Sequence, residues 1–133
     1  MFFYIRVGDV HAAQGELSEA QQAYRDGFAI ADHLAKADPS NLGWQHDMAG
    51  CYSKLASVHL TLGEVPEALI ALRKGREIMT SLVTITPSNQ QWKQDIALLD
   101  DEIAKLEETS TPRSEVISKP LRSIQTSKPL HSK

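Results

Sequence analysis

At 133 residues, 41% apolar and 23% charged, the chain can bury the core of one ordinary domain, and no apolar stretch approaches the ~20 residues that span a bilayer. Its formal charge of −3 is unevenly placed: residues 1–108 hold nine Lys/Arg against sixteen Asp/Glu, and residues 109–133 hold five Lys/Arg against Glu115 alone. So acidic a body is a poor surface for a phosphate backbone, which argues against a nucleic-acid partner, and the single Cys51 allows neither an internal disulfide nor a cysteine metal cluster.

The N-terminal run Met1-Phe2-Phe3-Tyr4-Ile5 meets Arg6 too soon to be a signal peptide, so the expected location is the cytoplasm. The chain starts inside a first helix, which ends near Gln14 and is closed by Gly15. A second helix runs from Leu17 to about Ala37. The third is expected from about 40 to 62, where Trp44, Met48, Tyr52, Leu55, Val58 or His59, and Leu62 recur every three or four residues. Gly63 follows as a left-handed cap, where a Cβ would be strained. The fourth helix, about 64 to 84, puts Val65, Ala68, Leu69, Leu72, Met79 and Leu82 on one face and has Pro66 in its first turn. Asp38-Pro39 and Thr86-Pro87 each read as an N-cap with proline at the first helical position. A fifth helix, about 87 to 108, carries Trp92, Ile96, Leu99, Ile103 and Leu106. Its 4-3-4-3 spacing lasts barely two heptads, so it reads as a helix packed on a neighbour rather than a coiled coil. The remainder, 109–133, lacks helical periodicity, is basic and rich in Ser, Thr and Pro, and is expected to be disordered.

The chain also matches itself when shifted by 48 residues, with 17 identities in 44 aligned pairs and no gap. Tyr4 meets Tyr52, and Val10-His11 meets Val58-His59. Gly15-Glu16 meets Gly63-Glu64, Pro39-Ser40-Asn41 meets Pro87-Ser88-Asn89, and Trp44 meets Trp92. Two helical hairpins of one design are therefore expected, at about 1–38 and 39–86. The third unit departs from the pattern. Asp100 replaces the aromatic, Thr111 replaces the glycine, and Asp100, Asp101, Glu102, Glu107 and Glu108 make the helix at 87–108 a polar cap.

The repeat resembles the tetratricopeptide repeat. The first unit supplies Tyr4, Val7, Gly8, His11, Gly15, Ala20, Tyr24, Gly27 and Pro39. The second supplies Tyr52, Leu55, Ala56, His59, Gly63, Ala68, Leu72, Gly75 and Pro87. Departures are His for the second aromatic in both units, Leu72 for an aromatic, Gly27 and Gly75 for alanine, and a period longer than the usual ~34 residues. The segment from Ala37 to Asp47 is similar to long-period bacterial repeats found in multi-repeat arrays, and the alternative this implies is a scaffold or regulatory fragment of a larger multi-repeat signalling protein. The resemblance implies an all-α, right-handed solenoid of antiparallel hairpins, a protein-binding role and no cofactor. It also implies a concave groove lined by the first helices, whose candidate partner-binding residues are Arg6, Asp9, Ser53, Lys54, Ser57, Asp101, Glu102 and Lys105. Some relatives clamp C-terminal carboxylates with Lys, Asn and Arg. The matching positions here are Ile5, Asp9, Ser53, Ser57, Leu98 and Glu102, so that clamp is absent.

Catalytic and metal chemistry find little support. His11 and His59 are equivalent, but equivalent residues of adjacent repeats lie ~10 Å or more apart, while zinc needs nitrogens ~2 Å from the ion. His33, His46 and His131 add no ligand spacing, Cys51 reads as a buried structural thiol, and Asp100-Asp101-Glu102 as a solvated face. No phosphate loop or nucleophile elbow is present, so no enzyme is expected. The alternative to groove binding is self-assembly, with homo-oligomers forming through the uncapped apolar end of the first helix.

Overall fold

The computed structural model describes residues 2–110. Met1 and the segment 111–133, on which the expectation of a disordered tail falls, lie outside the described residues. Within them the chain is all-α, with five helices: α1 (Phe2–Ala13), α2 (Leu17–Ala37), α3 (Leu42–Thr61), α4 (Val65–Ile85) and α5 (Gln90–Ser110). Each helix packs mainly on its neighbours in sequence, α1 on α2, α2 on α3, α3 on α4 and α4 on α5. No described helix is long and apolar enough to cross a membrane.

The hairpin turns close as the glycines require. Gly15 and Gly63 take φ of 80° and 79°. The Glu64 amide donates to the His59 carbonyl at 2.8 Å and the Gly63 amide to that of Leu60 at 3.0 Å. The same pair of bonds recurs from Glu16 to His11 and from Gly15 to Ala12. These are the two bonds that satisfy a helix's orphan carbonyls when its next residue turns left-handed.

The prolines act differently from the expectation. Asp38 and Thr86 are not N-caps. They close α2 and α4, their amides donating to Leu34 and Leu82. A residue before proline is pushed out of the α region, so Pro39 and Pro87 stop one helix instead of starting the next. The caps fall on the repeated asparagines: Asn41 Oδ1 accepts from the Gly43 amide at 3.0 Å and Asn89 Oδ1 from the Trp92 amide at 3.0 Å. Consequently α3 and α5 begin at Leu42 and Gln90, later than expected. Pro66 does sit in the first turn of α4.

The larger core cluster joins α3, α4 and α5, with Ala56, Ala68, Leu72, Met79, Leu82, Leu99 and Ile103 all buried. The smaller one joins α1, α2 and α3 through Ala20, Tyr24 and Val58. The expected stripes of α4 and α5 match this packing. That of α3 does not match as one stripe, because α3 lies between α2 and α4 and is buried on both sides. Its fully covered residues are Ala49, Cys51, Ala56 and Val58, whereas Leu62 is exposed. Tyr24, 2% exposed, lies with its ring against Gly8, where an added Cβ would collide with the ring carbons.

Candidate functional site

The consecutive packing leaves two hollows on successive stretches of α3. The first, about 470 Å³, lies between α1 and α3 with α2 as its floor. Asp9, Ala12 and Ala13 line one side, Lys54, Ser57 and Thr61 the other, and Leu17 and Tyr24 the base. The second, about 340 Å³, lies between α3 and α5 over Met79 of α4. His46, Ala49, Gly50 and Ser53 face Asp95, Leu98, Leu99 and Glu102. Both are of a size that holds a few side chains of an extended segment.

The α1–α3 hollow has a polar centre. The Tyr24 hydroxyl donates to Asp9 Oδ1 at 2.6 Å and the Lys54 ammonium lies 3.0 Å from the same oxygen. Burial raises the Asp9 carboxyl, but the Tyr24 hydroxyl, the Lys54 ammonium and the charge of Arg6 outweigh it and hold Asp9 below its ordinary value. Burial, followed by the bond to Asp9, pushes the Tyr24 hydroxyl well above its usual range, so it stays a donor. In the α3–α5 hollow the His46 ring stacks on Trp92, centroids 5.4 Å apart and planes 18° from parallel. His46 Nε2 stands 4.0 Å from Asp95.

Of the eight expected binding residues, Asp9, Lys54 and Ser57 line the first hollow and Ser53 and Glu102 the second. Arg6 lies on the outward side of α1 with Phe3, Val7 and Val10, acting on Asp9 through its charge. Asp101 and Lys105 lie outside both hollows and pair with each other one turn apart at 3.1 Å. Sequence reasoning passed over Tyr24 as a polar group and His46 and Asp95 as lining residues, and named Leu98 only as a position of the absent clamp. The 48-residue identity of Asp47 with Asp95 was the available signal, but it marks a shared position without saying that Asp95 lines the α3–α5 hollow.

His11 and His59 do not converge on a metal. Each closes on its own turn, with Nδ1 2.6 Å from Glu16 Oε1 and 2.7 Å from Glu64 Oε1. The glutamate whose amide satisfies the histidine carbonyl thus also engages the histidine ring, which explains why His and Gly-Glu repeat together. Among the described residues no group of three or more His, Cys, Asp or Glu could hold a metal ion. Cys51 is fully buried, and burial, reinforced by the Asp47 carboxylate, pushes its thiol up to about 11. Comparison with protein-family models, with curated proteins and with solved structures gives no match.

Proposed function

We propose that the chain is a non-catalytic protein-binding module of the tetratricopeptide type, a helical solenoid that holds an extended segment of a partner along the trough formed by the two hollows. The observation that carries this reading is the pair of adjoining hollows on α3, one floored by α2 and the other by α4, in which five of the eight residues that the resemblance implies lie. The self-neutralised Tyr24–Asp9–Lys54 centre suits backbone amides and carbonyls, which carry no net charge. The α3–α5 hollow puts Asp95 and Glu102 around Met79, Leu98 and Leu99, which suits a Lys or Arg next to an apolar residue.

Selection from a random-peptide display library tests this. Enriched peptides are expected to carry a basic residue beside an apolar one. Ser53→Arg and Ser57→Arg, which fill the hollows, should weaken binding about tenfold or more with circular dichroism unchanged. Arg25 and Lys74 line the opposite hollow, with Tyr52, Leu55 and Ile70, so their reversal to Glu should leave binding unchanged. Arg73 is an unsuitable control because it holds Glu107 of α5 at 2.5 Å. Peptides that respond to Lys74→Glu and ignore both serine substitutions would move the site to that other face.

A further inference from the structure

The 48-residue repeat places the same helix face in the molecule three times. On α3 it is Cys51, Leu55 and Val58; on α5 it is Leu99, Ile103 and Leu106; on α1 it is Phe3, Val7 and Val10. On α3 the face is covered by α2, with Leu17, Ala20 and Tyr24 packed beside Leu55 and Val58, and both Cys51 and Val58 are buried. On α5 it is covered by α4, with Val65, Ala68 and Leu72 in the same cluster as Leu99 and Ile103. On α1 two of the three positions are open: Phe3 is 68% and Val10 55% exposed, against 0% and 3% for their equivalents on α3, while Val7, like Leu55, is half-buried. The three α1 residues line an apolar hollow of about 250 Å³ with Arg6 and His11.

We propose that this face of α1 is a seat for an amphipathic helix of the α2 and α4 kind, one presenting Leu or Val, Ala, and Tyr or Leu at i, i+3 and i+7. Those positions are Leu17, Ala20 and Tyr24 in one occupant already present and Val65, Ala68 and Leu72 in the other. The two interfaces inside the chain fix the chemistry of the occupant, because an apolar face reused at a constant repeat offset is complementary to the same knobs. Among the described residues the far side of α5 offers no such seat: the α5 positions equivalent to Ala56 and Leu60, which α3 packs against α4, are Ala104 and Glu108, both exposed. The inference stands apart from the trough, which lies between helices rather than beyond α1.

The test places residues 16–49 of the chain directly ahead of Phe2 in the full chain, which preserves the 48-residue register and lays a copy of α2 on α1. The fusion should unfold at a higher urea midpoint than the parent. Val10→Glu should be silent in the parent and should lower the midpoint of the fusion, as expected of a residue that has become buried. In a second arm, a labelled peptide of residues 16–38 should gain anisotropy with the parent chain and not with its Val10→Glu variant. Equal effects of Val10→Glu in fusion and parent, or peptide binding indifferent to it, would overturn the seat. Light scattering gives the remaining outcome: a parent dimer that Val10→Glu dissociates would assign the face to a second copy and overturn the proposed occupant.

Discussion

Tyr24 and Gly8 show how one side chain sets the limit on another. The equivalent pair in the second unit is Leu72 and Ala56, both buried, so the larger ring faces the residue without a side chain and the smaller aliphatic group faces one methyl. The departure of Leu72 from the aromatic position is legible in the sequence, because it breaks the repeat. Its coupling to residue 8 is not, because it exists only across a helix–helix contact. Gly8→Ala should destabilise by about 1–3 kcal/mol through overpacking against the ring, even though alanine improves helix propensity by about 1 kcal/mol. Adding Tyr24→Leu should return part of that loss. Gly75→Ala, whose Cβ would lie 3.4 Å from the Tyr52 Cβ, should be close to neutral. Urea denaturation of the parent, Gly8→Ala, Tyr24→Leu and the double variant measures this cycle, with Gly75→Ala as its control. A Gly8→Ala protein as stable as Gly75→Ala would show that the ring does not rest on Gly8.

At the level of the helix, ends were easier to locate than to assign. Gly15 and Gly63 were legible because a left-handed residue is a local property of one backbone position. The prolines were not, because proline is compatible both with a first helical turn and with the stretch after a helix end. Asp38 and Asn41 are both acceptable caps, and only the hydrogen bonds decide between them. Asn41→Ala and Asn89→Ala should each cost about 1 kcal/mol, the usual loss on removing a side-chain cap. Asp38→Ala and Thr86→Ala should cost much less: among the described residues the Asp38 carboxylate accepts from the exposed Ser40 hydroxyl and from no helix amide, and α4 is closed by the backbone amide of Thr86 and not by its side chain. Thermal unfolding of the four alanine variants separates the assignments. Larger losses at 38 and 86 than at 41 and 89 would restore the proline-first reading.

For the molecule as a whole, the 48-residue offset carried most of the architecture, since it gave the number of helices and their pairing in hairpins. What it could not carry was the double burial of α3, because periodicity reports one stripe and a helix between two neighbours has two. The proposed trough was legible as a set of helix faces but not as chemistry: Asp9 was a candidate groove residue, and the structure makes it the acceptor for both Tyr24 and Lys54. That arrangement ties α1 to α2 and α3, where the core cluster is the smaller one. Its contribution should therefore depend on pH. The folded carboxyl of Asp9 lies below its ordinary value, so the unfolded chain takes up the proton first as pH falls. The stability from its charge is fully present above the ordinary carboxylate value and is lost as pH falls through the lowered one. Asp9→Asn keeps an oxygen for the Tyr24 hydroxyl while removing the charge that meets Lys54. At pH 7 the variant should be less stable by about 0.5 kcal/mol, the scale of a part-exposed and screened pair. Between about pH 4 and pH 2 the difference should close, because the parent loses the same charge. Urea titrations of both proteins at intervals from pH 7 to about pH 2, with salt held constant, measure it. A difference that stays constant across that range would mean that the amide disturbs packing and that the Asp9 charge does not hold α1 in place.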